Sequence, residues 1–587
     1  MIHYQITPTN PHAHLFDVTM IIKQPNATQE LWLPAWLPGS YMIRDFAKNL
    51  ISISAKNDPN ASLTLTQLNK QQWQVETNNQ PLIIHYQVYS WDLSVRTSFL
   101  DASRGFFNGS SVFLAARGFE NELHTLDILP SPHPCCDDWK IATTLNRDSG
   151  DDFGFGEFRA KSYEELIDHP VEMGNFTIAS FDAEGVQHDV VLAGKHRCCT
   201  ERLCQDLKAI CEYQIQFFGT PAPFKRYLFM TAVLDNGFGG LEHRSSTALM
   251  CSRNDLPASF DCDVDKGYRT YLSLCSHEYF HSWNVKRIRP ASFIPYQLEQ
   301  ESYTEQLWAY EGITSYYDDL ITYRSGRVSQ ENYLDMLSET MTRVYRGSGR
   351  LKQSIKQSSF NAWTTFYQQN ENAPNAIVSY YTKGALFALY LDLTLRTETQ
   401  GQYSLDNVMQ TLWQHFGQKN IGTEDDSHQK IIETILKHDC NDIFSFLGKT
   451  DDIPLNELLK KFGVALNLRT TAGNSDVGGK NETPLTIGFG AKYQPDAVGL
   501  KIVAVAENSP AMHCGLSAGD NLIAIDGLKA TNNIEKILQQ YPVGEKVELV
   551  WFRKDELNLG LLPIQEAPKD TVSLVVTNEK LVKGWLN

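Results

Sequence analysis

From Tyr4 to about Leu145, apolar residues alternate with polar ones or run together in short stretches: Phe16–Ile22, Glu30–Leu33, Leu50–Ser54, Gln72–Glu76 and Leu82–Tyr89. Clusters of Asn, Pro, Gly and Asp bound each stretch. A period of two residues is the mark of half-buried strands, and their number predicts an antiparallel, β-sandwich-like N-terminal domain. Two segments, Pro38–Phe46 and Arg104–Gly109, are over-specified for loops and are read as turn chemistry with aromatic packing. Near Cys199 the period lengthens, and Glu201–Tyr213 places apolar residues three and four apart, as a helix requires. A strand at Tyr227–Leu234 leads into Asp235–His243, whose glycines let the backbone pass close to another segment before a second strand begins. Helices are predicted over Gly267–Ile288, ended by Pro290, and over Trp308–Tyr323, Asn332–Arg346, Ala376–Thr397, Leu405–His415 and His428–Lys437. Thr471–Asn481, rich in Gly, Asn and Asp, is read as a linker, after which strands return at Val503–Val505, Asn521–Gly527 and Lys546–Phe552.

Length and charge narrow the picture. A chain of 587 residues exceeds a single core and suggests about three or four domains. Its formal charge, 52 − 69 = −17, argues against a polyanion-binding surface, so no nucleic acid is expected. The N-terminus lacks a basic n-region and an apolar h-region, and no apolar run reaches the ~18–20 residues of a membrane span. Eleven Cys, with vicinal pairs at Cys135-Cys136 and Cys198-Cys199, fit reduced thiols better than bridges, and no C-x-x-C occurs. A cytoplasmic protein without a membrane partner is the expectation.

The chemistry is concentrated in Leu274–Trp283, which carries His277-Glu278-x-x-His281 inside an apolar run of helical spacing. Residues i and i+4 share a helix face, so both imidazoles can reach one cation at about 2.0–2.1 Å. Glu278 lies roughly 100° round the helix, beside the open coordination position and off the ligand set, where it can take a proton from water. A catalytic zinc needs a third protein ligand. Glu299, Glu301 and Glu305 lie in or near a polar, proline-interrupted connection, whereas Glu311 follows Leu307 and Trp308 in an amphipathic helical pattern and is the ligand chosen. Asp318, two turns further along that face, is placed to accept the far N–H of a ligand histidine.

These residues carry a resemblance. His277-Glu-x-x-His281 with Trp308-x-x-Glu311-Gly resembles the gluzincin peptidases, and His277–Pro290 is similar to the glycyl aminopeptidase family of PDZ-containing zinc metallopeptidases, relatives of aminopeptidase N. The resemblance spans nearly the whole chain. It implies a multidomain α+β architecture: an N-terminal β-sandwich-like domain (1–165), a thermolysin-like, mainly α catalytic domain (166–470) and a C-terminal PDZ domain (482–570). It also implies one Zn2+ per chain and removal of small N-terminal residues, Gly or Ala, from peptide substrates. Gly239-Gly240-Leu241-Glu242-His243 is similar to the Gly-x-Met-Glu-Asn segment of aminopeptidase N, which makes Glu242 the anchor of the substrate ammonium, with Gly239 and Gly240 beside it. Leu and His replace Met and Asn, so no role carries over to His243. Tyr381-Thr-Lys-Gly384 resembles the Tyr-x-Lys-Gly pattern whose tyrosine hydrogen-bonds the oxyanion, with Tyr380 as the alternative if the register differs by one. Ile487-Gly488-Phe489-Gly490 and the segments after it resemble a PDZ domain, which implies peptide carboxyl termini as partners at the Gly488–Gly490 loop.

Two other functions compete with this expectation. A zinc endopeptidase would share the metal site and differ in the use of Glu242, and a PDZ adaptor with a vestigial metal site would need no such complete set of residues. A PDZ-bearing serine protease is disfavoured because neither Gly-x-Ser-x-Gly nor Gly-Asn-Ser-Gly occurs.

Overall fold

The alternation read from the sequence is realised as sheets. In the computed structural model, which describes residues 1–58, 61–480, 483–532 and 534–586, the strand Ile2–Asn10 buries Ile2, Tyr4 and Ile6 and turns the intervening residues outward. The architecture is mixed α/β, β-rich at the N-terminus and helical in the middle, with a PDZ-like sheet towards the C-terminus. The chain divides into two compact units. The first comprises Met1–Ser302, Ser325–Arg327 and Leu412–Thr423; the second comprises Tyr303–Arg324, Val328–Thr411 and Glu424–Asn587.

In the first unit an eight-stranded sheet centres on Ile2–Asn10, Leu15–Ile22 and Leu82–Tyr89, and two four-stranded sheets accompany it. A five-stranded sheet then runs in the order Thr177–Ala183, Val186–Ala193, Arg226–Leu234, Ser246–Ser252, Phe238–Glu242. Its three inner strands are parallel, and Phe238–Glu242 is an antiparallel edge that pairs Gly240 with Leu249 and Glu242 with Thr247. The glycine-rich segment expected to precede a strand is thus itself the edge strand.

The helix Lys266–Phe280 is capped by Asp265, whose carboxylate accepts the Tyr268 N–H at 2.9 Å. It ends at His281, seven residues before the expected Ile288. The following residues leave the helix: Val285 has φ +83°, a conformation costly for a β-branched residue, and Asn284 bridges to Ile288. Trp283 is buried and stacked on Phe218 at 4.8 Å, so burial of Trp283, with Pro290 still ahead, accompanies the early stop.

In the second unit Trp308–Gly312 is a π-helical turn that continues as the α-helix Ile313–Arg324, and all five residues of the turn are buried. The amphipathic helix expected here is therefore a buried one at its start. The helix expected over Ala376–Thr397 begins at Thr382, because the chain is extended at Ile377 after the short helix Ala373–Ala376. The stretch read as a linker is ordered by a buried ion pair: Arg469 Nη1 donates to Asp476 at 2.6 Å, and Asp476 also accepts the N–H groups of Ala472 and Gly478. Asn481, its last residue, lies outside the described residues. Strands Val464–Thr470 and Lys569–Val576 pair across the base of the C-terminal region. Within that region the sheet order Ala491–Asp496, Gly499–Val505, Asn521–Ile525, Lys546–Arg553, Glu556–Pro563 encloses a core that includes Phe489, Ile502 and Trp551.

Candidate metal and substrate site

Helical spacing brings the two histidines together as expected. The His277 and His281 rings lie 4.6 Å apart, edge to face at 83°. His281 is 1% exposed, and its Nδ1 lies 2.9 Å from the carbonyl oxygen of Asn284. A carbonyl only accepts, so Nδ1 carries the proton and the lone pair is on Nε2, the arrangement of a metal-ligating imidazole. The early end of the helix produces this contact, since an Asn284 still in the helix would have its carbonyl turned along the axis. Asn284 was not legible as a site residue in the sequence.

Glu278 is 5% exposed and Glu242 4% exposed, and one carboxylate oxygen of each lies with a His281 ring nitrogen inside a 4.8 Å circle. The edge strand sets this approach. A Cβ on Gly240 would fall 2.0 Å from Glu278 Oε1, so only glycine lets the strand cross the carboxylate. Arg96 clamps the strand there by donating to the Gly240 carbonyl at 3.1 Å. Gly239 has no such duty: a Cβ on it would meet only the tip of Arg96 and Val95 at 3.9–4.0 Å. The donor chemistry, two imidazoles one helical turn apart with one of them fixed in the ligating tautomer and carboxylates alongside, fits a zinc ion. A second cluster of metal-binding residue types, His12, His133 and Cys135, is less suited, because the Cys135 N–H donates to His133 Nδ1 at 3.3 Å.

His243, the residue without a carried-over role, is buried just past the end of the strand. Its Nδ1 is 3.6 Å from Asp168, which pairs with Lys286 at 2.5 Å and accepts the Arg244 N–H at 3.0 Å. Burial holds the His243 ring below its ordinary value against the pull of Asp168, so it sits neutral at pH 7. Burial alone would raise the Asp168 carboxyl; Lys286, with His243 and Arg244, outweighs it and holds that carboxyl well below the usual range. These residues, with Leu37, Pro38, Glu164, Ile167 and Tyr296, line a small cavity.

In the second unit Glu311 is 1% exposed on the π-helical turn. Gly312 packs its backbone directly on Gly384, where a Cβ would meet Gly384 Cα at 2.7 Å and the Tyr380 carbonyl at 2.8 Å. That contact joins the turn carrying Glu311 to the start of the helix Thr382–Glu398, immediately before which lie Tyr380 and the N-cap residue Tyr381. Tyr380 is fully buried, and its phenol is pushed up by burial, by Tyr367 and by the charge of Glu311. Tyr381 is partly exposed, caps the helix and is flanked by Phe366, whose ring stacks on it at 5.5 Å. Asp318 is half-buried, and one of its oxygens accepts the Asp319 N–H at 2.5 Å.

In the PDZ-like region Gly490 has φ +78° and a Cβ there would clash with Ser509 at 2.2 Å, while Phe489 is buried in the core. The Phe489 and Gly490 carbonyls already accept from Ala511 and Ala506. The edge strand Ala491–Asp496 is partly engaged from within its own unit: Asn474 Nδ2 donates to the Tyr493 carbonyl at 2.8 Å, and the Tyr493 hydroxyl donates to Glu535.

Three family models match the chain: the Peptidase M61 N-terminal domain over residues 3–175, the M61 glycyl aminopeptidase over residues 270–387 and the PDZ domain over residues 501–553. Among solved structures the chain is similar to an aminopeptidase N family protein from Idiomarina loihiensis, at 47% identity and TM-score 0.97 with 100% of both chains covered. It also matches an M1 zinc metallopeptidase from Deinococcus radiodurans, at 13% identity and TM-score 0.46 over 77% of this chain and 94% of that one. The yeast LTA4 hydrolase in complex with bestatin matches at 13% identity and TM-score 0.48, over 77% of this chain and 68% of that one. No curated protein matches the chain. Among the described residues no helix is long and apolar enough to cross a membrane.

Proposed function

The chain belongs to the M61 glycyl aminopeptidase family and is a metallopeptidase, and from that premise we propose that it removes single, small N-terminal residues, Gly or Ala, from peptides with the help of one zinc ion. His277, His281 and Glu311 are the proposed ligands, and all three fall within the 270–387 match. Zinc held there supplies Lewis acidity to the scissile carbonyl and makes water easier to deprotonate. Glu278 takes the proton of the attacking water and returns it to the leaving amine, a role that suits a carboxylate pinned under Gly240 beside His281. Tyr381 donates to the oxyanion, and its partial exposure favours it over the buried Tyr380. Asp318 is proposed to steady the ligand set from behind. Peptide carboxyl termini are the proposed ligands of the PDZ domain at Gly488–Gly490.

The observation that carries the exopeptidase reading is Glu242. Its carboxylate is buried beside Glu278 and His281, and its Oε1 has no hydrogen-bond partner among the described residues. A buried carboxylate in that state calls for a cation, and the α-ammonium of a peptide supplies one. The test compares one Gly- or Ala-led peptide with a free and with an acetylated N-terminus, alongside the metal content of the protein. About one zinc per chain and cleavage of the free peptide alone are expected. Equal cleavage of both peptides would make the protein an endopeptidase.

A further inference from the structure

Gly39 lies in the N-terminal β-rich region, some two hundred residues before Glu242 in sequence, yet it touches the carboxylate of Glu242. A Cβ built on Gly39 would fall 2.6 Å from both carboxylate oxygens and 2.7 Å from Cδ. The backbone there has φ +94°, which glycine adopts without strain. The turn is not a loose loop. Ala35 N–H donates to Leu298 O at 2.7 Å, Trp36 Nε1 donates to Gln297 O and Gln300 O at 2.8 Å, and Arg44 bonds Ser40 Oγ at 2.8 Å. Trp36, Leu37 and Tyr41 are buried around it. The turn therefore presents a rigid wall whose one bare Cα faces the carboxylate.

We propose that Gly39 is a specificity-determining residue: it forms the wall against which the Glu242 carboxylate is set, and so fixes where the α-ammonium of a peptide is received. The proposal rests on the reading of Glu242 as the amine anchor. It gives the N-terminal β-rich region a part in substrate selection that nothing in its sequence announces. Any side chain at position 39 pushes against the far end of a flexible glutamate rather than against backbone. An alanine also strains the turn at φ +94°, but the atoms its methyl meets are those of the carboxylate, which yields by swinging away from the turn.

The test uses the zinc-loaded enzyme and two ligands that differ only in the amine, glycine hydroxamate and acetohydroxamate, with binding measured by calorimetry. The wild type should prefer the amine-bearing ligand by roughly 10–100-fold, the range of a charge-assisted hydrogen bond. Gly39→Ala should lose most of that preference while zinc content and acetohydroxamate affinity stay within about twofold. Glu242→Ala is measured beside it. If Glu242→Ala keeps the full preference, the amine-anchor reading falls and this proposal falls with it. If Glu242→Ala loses the preference and Gly39→Ala keeps it, only the role of Gly39 is overturned. Equal weakening of both ligands in Gly39→Ala would mean general damage to the site and would also overturn it. Should Gly39→Ala yield no soluble protein, the double variant Gly39→Ala/Glu242→Asp decides, since the shorter acid withdraws from the added methyl. Recovery of soluble enzyme supports the wall, and a double variant that remains insoluble assigns Gly39 to turn conformation alone.

Discussion

Gly240 crosses Glu278 so closely that a single methyl group on it would lie 2.0 Å from the carboxylate oxygen Oε1. The edge strand and the helix of the two histidines therefore meet at the proposed general base, and the strand's lack of a side chain sets where that base points. Gly240→Ala is expected to lower kcat by roughly 10²-fold, the cost of displacing a reacting group by about 1 Å. His277 and His281 are untouched by the change, so zinc content should hold. Loss of zinc in proportion to activity would show that the strand supports the metal helix as a whole.

Glu278→Gln isolates proton transfer from geometry, because the amide keeps the shape of the acid and cannot accept the proton. The expected result is a fall in turnover of roughly 10²–10⁴-fold at unchanged zinc content, the range assigned to general acid–base catalysis. Steady-state kinetics with metal analysis on the same preparation checks it. A Glu278→Gln enzyme that turns over like the parent would move the base elsewhere, with Glu242, whose carboxylate lies within 4.8 Å of that of Glu278, the next to test.

The Asp168–Lys286 pair is buried on both sides, with side chains 9% and 4% exposed. Asp168→Asn would leave the Lys286 ammonium buried without its partner, a loss of about 3–5 kcal/mol that urea denaturation would register. The pH dependence has a fixed sign. Burial raises the Asp168 carboxyl, Lys286 with His243 and Arg244 lowers it by more, and the net native value lies well below the unfolded one. The pair's contribution is therefore fully present above the unfolded value of about 3.9 and is lost as pH falls from there towards the native value. The difference in stability between parent and Asp168→Asn should be level from pH 8 to about 5 and shrink below about 4. A difference that shrank on raising the pH through neutrality would show that the Asp168 carboxyl is not the group that sets the pH dependence.

At the PDZ edge strand Asn474 already occupies the Tyr493 carbonyl, which an added peptide strand would need. Asn474→Ala should strengthen binding of a carboxyl-terminal peptide several-fold, about the worth of one hydrogen bond released from competition. Fluorescence anisotropy with a labelled peptide measures this. Unchanged affinity would mean that the peptide does not pair along Ala491–Asp496.

What the sequence disclosed depended on how local the information was. His277, Glu278 and His281 were legible because helical spacing alone brings them together, and Gly240 because a glycine-rich edge announces a close approach. The helical pattern runs on to Ile288 ahead of Pro290, whereas the helix stops at His281, where Trp283 packs on Phe218 and Val285 turns left-handed. Asn284 and Asp168 carry no sequence signal, and Gly39, though inside the over-specified segment Pro38–Phe46, reads there as turn chemistry, all for a different reason. Their partners are defined by tertiary contacts, and a lone Asn, Asp or turn Gly carries no periodicity that points to them. The supposed linker Thr471–Asn481 has the composition of a loose chain, yet Asp476 draws it into order through Arg469, an effect no composition reveals.

Tyr381 stands at the start of its helix, where the packing of Gly384 on Gly312 holds that helix end against the turn of Glu311. A Cβ on either glycine would press the two backbones apart, so the separation of Tyr381, the proposed oxyanion donor, from the third proposed ligand is set by backbone contact rather than by adjustable side chains. A phenol that donates to the developing oxyanion acts in the transition state, where one such donor is worth about 10²–10³ in turnover. Tyr381→Phe should lower kcat by that amount with KM little changed and zinc retained. The ring stays stacked on Phe366, so thermal stability should be close to that of the parent. Tyr380→Phe is the matched control: its hydroxyl is buried, and it is expected to alter stability more than turnover. If Tyr380→Phe lost turnover while Tyr381→Phe kept it, the oxyanion donor would be Tyr380 and the register of the Tyr-x-Lys-Gly likeness would be shifted by one.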